Sequence, residues 1–301
     1  MAERNAATRK RKDEKQPRRN IGRTFAFAMV FILCFALLYT FVFTNQNTLT
    51  PGDNEIIVAF LDVGQGDSIL IWSRENAILI DGGDVGRQNV ILRYLRQAGI
   101  SRLDYVIASH PHRDHIGGLV AVLSRIEVGQ VLMPDVVHTT TTFENFIEVI
   151  ENNQIPAYAP SPGQNFRAGI IKFTVLAPLP GGIGLNDNSI ILRLTHGETS
   201  FIFTGDAEAG SERALVASGQ NINSDVIKIG HHGSRTSTTE AFIDAVAPVV
   251  AVITVGAGNQ FGHPHEEVLA RLTDRGISVY RTDTMGTIKM ASNGTQIVML
   301  E

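Results

Sequence analysis

Residues 109–118 read Ser-His-Pro-His-Arg-Asp-His-Ile-Gly-Gly, which sets three imidazoles and a carboxylate close together. Imidazole and carboxylate are ligands that zinc, manganese and iron accept. The apolar run Tyr105–Ser109 reads as a buried strand feeding this segment, and Pro111 favours extended backbone at His110. In extended chain, side chains two apart point the same way, so His110 and His112 can converge on one ion. Asp114 and His115 follow as the chain turns and offer a carboxylate and an imidazole to a second ion. Gly117 and Gly118 let the backbone turn tightly beneath them. Two more segments carry matching groups at strand ends. Phe201–Asp206 is an apolar run ending in a carboxylate that can bridge two ions. Val226–Ile229 runs into Gly230-His231-His232-Gly233-Ser234, where His231 is expected to complete the second ion. The expected ligands are therefore His110, His112, Asp114, His115, Asp206 and His231, holding two divalent cations, Zn2+ or Mn2+. Such a pair makes a shared water more acidic and clamps both oxygens of an in-line displacement.

These groups need a scaffold. Short β-branched runs at Ile56–Leu61, Ser68–Ser73 and Ala77–Ile80 read as strands, and Arg87–Ala98 has helical spacing. Helices are expected at Leu119–Arg125 and Phe143–Ile150, with a strand at Val131–Met133 between them. Residues 152–187 are rich in Pro and Gly and read as less regular, with no strand assigned there. Strands Ser189–Thr195 and Ser200–Thr204 form a hairpin. After it helices (207–217, 239–246, 265–274) alternate with strands (225–229, 249–255, 277–281), and strands 286–291 and 295–299 follow. This pattern implies an α/β (α+β) fold of two stacked sheets with helices outside, a four-layer αββα sandwich. A chain of 301 residues with 44% apolar and 19% charged side chains is neither disordered nor collagen-like. Its single cysteine, Cys34, excludes a disulfide framework and a cysteine-ligated cluster.

His110-x-His112-x-Asp114-His115, Thr204-Gly205-Asp206 and His231-His232-Gly233 resemble the metal-binding motifs of the metallo-β-lactamase-fold hydrolases. Phe60–Asp67, Asp81-Gly82-Gly83, Asn186-x-Asn188-Ser189, His231–Ser234 and Gly262-His263-Pro264 more closely resemble the C-terminal domain of the ComEC competence family. Bacterial phosphorylcholine esterases share much of this pattern. The resemblance spans about residues 55–299 and implies the αββα fold and a dinuclear hydrolase. Where that fold usually places a third histidine for the first ion, this chain has Asn186–Ser189. The first ion is then left with His110, His112, Asp206 and water, and Asn188 is expected beside the metals or substrate. His138 and His196 are the histidines between 115 and 206. His138 follows a strand end and is expected to stay off the site; His196 falls in a hairpin turn and is expected to be solvated.

Other residues have expected roles. Asp114, His232 and His263 are the catalytic candidates, the two histidines by contacting substrate phosphate or protonating the leaving oxygen. Asp81 is expected to orient a ligand histidine. Asp62 and Asp67 lie in a Gly-rich loop, as turn formers or near the metals. Ser234 and Arg235 are candidate phosphate donors, Lys228 a balance for nearby carboxylates, and Trp72 a core residue.

The N-terminus belongs to different surroundings. Residues 1–23 carry nine Lys/Arg against three Asp/Glu, a net of +6, which leaves −10 on the rest of a chain of net −4. Residues 24–44 contain no charge, Gly or Pro. As a helix they would be about 30 Å long, the thickness of a bilayer core. The positive-inside rule puts the basic arm 1–23 in the cytoplasm and everything after the span outside. Residues 45–54 read as a tether and 55–301 as the hydrolase domain. The expectation is a membrane-anchored, extracytoplasmic, metal-dependent phosphodiesterase. By resemblance its substrate is DNA, handled beside a separate uptake channel. The alternatives are a cell-envelope phosphodiester, or a non-catalytic DNA-binding module.

Overall fold

The computed structural model describes residues 49–180 and 183–300, with Met29 alone before them. The basic arm, the expected span apart from Met29, and residues 45–48 of the tether lie outside the described residues. Among the described residues no helix is long and apolar enough to cross a membrane. The end of the expected tether packs on the globular unit, where fully buried Trp72 donates Nε1–H to Leu49 O at 2.8 Å.

The β-branched runs form two sheets. In an eight-stranded sheet the order is β15 (Ile297–Leu300), β14 (Ile288–Ser292), β1 (Ile56–Phe60), β2 (Ile69–Trp72), β3 (Ala77–Ile80), β4 (Arg102–Ile107), β5 (Glu127–Leu132) and β6 (Ala157–Tyr158). A seven-stranded sheet follows the order β13 (Ser278–Arg281), β12 (Val250–Ile253), β11 (Val226–Lys228), β10 (Thr199–Phe203), β9 (Ile191–His196), β8 (Ile171–Ala177) and β7 (Asn165–Ala168).

Side chains alternate across each strand, and here both faces are covered. Ile56, Val58 and Phe60 join Phe166, Phe173, Phe201 and Phe203 in a core between the sheets, with the Phe60 and Phe203 rings 6.2 Å apart. Ile57 and Ala59 pack instead with Ile91, Leu95 and Phe146 of helices Gln88–Gln97 and Thr141–Asn152. On the other sheet Ile202 and Ile227 meet Leu215, Phe242 and Leu272 of helices Ala209–Ala217, Glu240–Val246 and Glu266–Thr273. Three cores thus separate helix, sheet, sheet and helix. Burial on both faces is why these strands read as continuous apolar runs.

The topology decides where chemistry can sit. β3 and β4 are parallel, and β1 runs with β3 because each is antiparallel to β2. In the other sheet β10, β11 and β12 are parallel. The loops leaving the carboxyl ends of these six strands hold Asp67, Asp81, His110 to His115, Asp206, His231, His232 and His263, an arrangement common to sheets with parallel strands.

Two expectations need correction. Residues 152–187 do hold strands, since β7 and β8 form a hairpin around Gly169 (φ 56). Phe166, Ala168, Ile171, Phe173 and Val175 are buried while Arg167 and Lys172 are exposed, a period-two signal obscured by the flanking prolines. The histidine motif also does not extend a strand. β4 ends at Ile107, Ser109 to Pro111 lie on a bend, His112 is extended (φ −75, ψ 149), and the short helix Arg113–Ile116 begins the turn.

Candidate metal centre

The loop after β10 places Asp206 at the middle of a group of imidazoles. Its Oδ2 lies 3.2 Å from His115 Nε2, 3.6 Å from His232 Nε2, 3.7 Å from His110 Nε2 and 3.8 Å from His231 Nε2. Ser189 Oγ accepts from the Asp206 amide at 3.1 Å and holds that turn in place. Two ligand groups share this carboxylate. Asp114, His115, Asp206 and His232 bring donor atoms within 4.8 Å of one another, and so do His110, His112 and Asp206. His110 Nε2 and His112 Nδ1 face each other at 2.9 Å.

Neighbours fix which nitrogen of each ring points inward. His115 Nδ1 lies 2.9 Å from Asp81 Oδ2, an acceptor only, so Nδ1 carries the proton and Nε2 presents its lone pair. His232 Nδ1 donates to Thr254 O at 2.9 Å with the same result, and His231 Nδ1 donates to Glu208 Oε1 at 3.1 Å. His110 Nδ1 reaches Ser109 Oγ at 3.1 Å, and that hydroxyl donates onward to Asp81 Oδ2 at 2.6 Å. His115 Nε2, His232 Nε2 and Asp206 Oδ1 are buried without a hydrogen-bond partner. Native proteins rarely leave such atoms unpaired, so the donor set fits resident divalent cations on its own terms. Charge points the same way. Asp67, Asp81 and Asp206 are buried and Asp114 is partly buried, against one buried lysine, Lys228.

Those charges set the protonation of the metal-free pocket. Burial alone would lower the His232 pKa, but Asp206, Asp114 and Asp67 override it and push it up to about 9. His115 is likewise raised well above its ordinary value, against burial, by Asp206, Asp81 and Asp114. Burial and the charge on His115 hold His110 well below its ordinary value, so it is neutral. A cation must displace the protons on His115 and His232. Metal affinity is therefore expected to rise with pH through the neutral range, by up to about tenfold per pH unit for each proton released. Calorimetry in buffers of different ionisation enthalpy checks the proton count; none released contradicts it.

Of the two adjacent histidines, His232 rather than the expected His231 joins the second ligand group. Both lie in the left-handed region, His231 at φ 47 and His232 at φ 54, a conformation costly for residues with a Cβ. This turn drives His232 into the buried four-residue group, while His231, with a quarter of its side chain exposed, leans on Glu208. Of the two roles expected of His263, its environment favours contact with phosphate over proton donation. Burial and the neighbouring His231 and His232 lower it to about 4, so near neutral pH it has no proton to give as an imidazolium. It remains beside the site, its ring 5.5 Å from that of His231.

Asp62 forms a turn, one of its two expected roles, and Asn188 and Ser234 are engaged with their own loops. Asp62 is exposed and closes its own turn by accepting from Gly64 N at 3.1 Å. Asn188 donates Nδ2–H to Gly184 O at 2.7 Å and ends a short helix. Ser234 is buried with its hydroxyl on Thr236 Oγ1 at 2.9 Å, shaping the histidine turn. Asp67, by contrast, enters the pocket, paired with Lys228 Nζ, accepting from Thr254 Oγ1 and lying 3.3 Å from His232 Nδ1. Its loop approaches the motif so closely that a Cβ at Gly66 would come within 2.2 Å of Asp114 O. His138 sits nearer than expected, its ring 6.0 Å from His112. His196 is buried rather than solvated, with Nδ1 2.8 Å from Ser292 Oγ across the two sheets.

Several contributors were not foreseen. Glu208, two residues past Asp206, gathers His231, Asn186 Nδ2 at 3.1 Å and Thr236 Oγ1 at 3.0 Å. Ser109 and Thr254 supply the other orienting contacts. Asp81→Asn keeps an acceptor for these groups but loses the charge behind His115. It is expected to weaken metal affinity roughly 10- to 100-fold in chelator competition; unchanged affinity contradicts the orienting role.

Two layers of helix around two sheets, with a histidine- and aspartate-lined pocket at the strand ends, define a class. The chain belongs to the metallo-beta-lactamase superfamily, which its residues 61–256 match. Within it the chain is similar to competence proteins, in line with the ComEC resemblance. It is 32% identical to ComE operon protein 3 of Bacillus subtilis (strain 168) over 251 residues, 77% of this chain and 32% of that protein. It is 32% identical to Competence protein ComA of Neisseria gonorrhoeae over 258 residues, 85% of this chain and 35% of that protein. The chain thus spans about a third of the length of these relatives. Among solved structures, the metallo-beta-lactamase fold protein YhfI from Bacillus subtilis superposes with a TM-score of 0.54 at 15% identity. That match covers 79% of this chain and 100% of YhfI, a likeness of fold.

Proposed function

We propose that the protein is a metal-dependent phosphodiesterase acting on DNA, anchored by residues 24–44 with its globular domain outside the cytoplasm. The carrying observation is one buried carboxylate, Asp206, shared by two ligand groups, in one of which His115 Nε2 and His232 Nε2 are buried and unpaired. In this reading His110, His112 and Asp206 hold one divalent cation, and Asp114, His115, Asp206 and His232 the other. Bound there, Zn2+ or Mn2+ would supply Lewis-acid polarisation of a phosphoryl oxygen and acidify a water. The chain's own part is to aim the ligands. Asp81 and the Thr254 carbonyl hold the Nδ1 protons of His115 and His232, and Ser109 relays that of His110. Neutral His263 can accept a proton from the attacking water or hydrogen-bond a phosphoryl oxygen, and the partly exposed Asp114 carboxylate lies at the substrate side.

The similarity to competence proteins supports DNA, with a separate uptake channel as partner. A cell-envelope phosphodiester is the second reading, favoured by the net −10 that lies outside residues 1–23, since nucleic-acid binders usually present a basic face. The test incubates the full chain with Mn2+ or Zn2+ and bis-p-nitrophenyl phosphate, beside a variant carrying Asp114→Ala and His115→Ala. Hydrolysis that needs the metal and is lost in the variant is the expected result. No metal-dependent difference overturns catalysis and leaves a binding module. Labelled DNA then separates the two substrates.

A further inference from the structure

Beside the candidate metal centre lies a cavity of about 410 Å³. Asp114 belongs to both, with Oδ2 3.4 Å from His232 Nε2 on the metal side, so a group in this cavity neighbours any phosphate held at the ions. The other walls are Gln65, Asp84, Arg113, Asn259, Gln260 and Phe261. Phe261 is the one aromatic among the exposed large apolar residues described, with 53% of its surface open. An aromatic ring left in water beside a candidate active site is an unspent recognition surface.

This ring is held rigidly. Its inner neighbour is His263, which it stacks at 5.6 Å and 26°. Its loop is tied by one side chain: Asn259 Oδ1 accepts from Phe261 N at 3.1 Å and His263 N at 3.0 Å. The Asn259 amide in turn donates to Gly256 O at 3.0 Å and His263 O at 2.6 Å. Elsewhere on the cavity wall Arg113 is steadied by Asp84, Nε to Oδ1 at 2.6 Å, while its side chain stays 64% exposed. A fixed aromatic face and a fixed guanidinium plane are the two surfaces on which bases stack. Gln65 accepts from Gly256 N at 3.2 Å through Oε1, which leaves its amide N–H groups to face a base edge.

We propose that this cavity is a stacking subsite for one unpaired nucleobase next to the scissile phosphate, which makes the substrate a single strand of nucleic acid. The proposal rests on the phosphodiesterase reading above and narrows its substrate. A paired base keeps both faces against its neighbours and cannot enter; an unpaired one can. Stacking tolerates sequence, because every base has a π-face. A quaternary ammonium headgroup is the other ligand that favours aromatic rings, and phosphocholine is included in the test to separate it.

The test uses the full chain with Mn2+ and a single-stranded oligonucleotide carrying 2-aminopurine, read by stopped flow before any bond is cut. Wild type is expected to quench the fluorescent base. Phe261→Ala is expected to raise the dissociation constant about 5- to 150-fold, and Phe261→Trp to recover it. An abasic strand of equal length is expected to bind wild type as weakly as the intact strand binds the alanine variant. Equal binding of intact strand by wild type and Phe261→Ala overturns the proposal. So does equal binding of intact and abasic strands, a blunt duplex binding as tightly as the single strand, or phosphocholine binding that Phe261→Ala abolishes. Base-dependent binding with no strand cut would remove the phosphodiesterase reading and leave the subsite standing; cutting without base dependence would do the reverse.

Discussion

Asp206→Ala is expected to empty both halves of the metal centre and lower hydrolysis roughly a thousandfold. The reason is the position of one oxygen. Asp206 Oδ2 lies within 3.8 Å of four imidazole nitrogens, and both ligand groups contain it. No other side chain belongs to both, so no neighbour can replace it. The substitution also removes the strongest influence opposing burial at His232, whose pKa should fall from about 9 toward its ordinary value. Bound metal per chain, activity and the His232 titration by NMR check this together. An Asp206→Ala protein that keeps full metal and activity would show that the shared carboxylate is not the hinge of the site.

Lys228→Met is expected to destabilise the metal-free protein by about 3–5 kcal/mol. Lys228 is fully buried at the end of β11, paired with Asp67, donating to Gly205 O at 2.8 Å and lying 3.8 Å from Asp206 Oδ1. Methionine matches much of the stem but leaves Asp67 as a buried anion facing the carboxylate of Asp206. Asp67 is held well below the usual carboxylate range: burial would raise it, but Lys228 and then His232 outweigh that. In the variant that counterweight is gone and burial raises Asp67, so the loss is expected to shrink as pH falls and Asp67 takes up a proton. Adding Asp67→Asn to Lys228→Met is expected to recover most of the loss. Urea unfolding of the four proteins in chelator measures the cycle. Additive losses from the two single substitutions would contradict the pairing.

How much of this was legible in the residues differs from place to place. The motif from His110 to His115 and the strand-ending Asp206 could be read because short spacing and a strand end bring their groups together through local geometry. The layers could be read because strands buried on both faces leave continuous apolar runs. Harder features depend on the path of a turn. Both His231 and His232 follow β11 with identical chemistry, and only their left-handed backbone decides which enters the buried group. The same holds for the Asn186–Ser189 segment, where Asn186 and Ser189 touch the site's supports while Asn188 turns away to Gly184. Lys228 did carry a signal, a charge inside the apolar run Val226–Ile229, but its partner Asp67 lies far off in sequence. Glu208 and Thr254 likewise act across loops that no local pattern links. His196 reads as a turn residue until β14 covers it with Ser292.

The central claim is that groups from the loops after β4, β10 and β11 grip a pair of divalent cations. Its most direct test is the metal content of the purified full chain after loading with Mn2+ or Zn2+ and exhaustive dialysis, measured by plasma mass spectrometry. The account predicts about two equivalents per chain in the wild type, as a two-ion site requires, and a clear loss in the variant carrying Asp114→Ala and His115→Ala. A wild-type chain that retains no transition metal, or a variant that retains as much as the wild type, would contradict it.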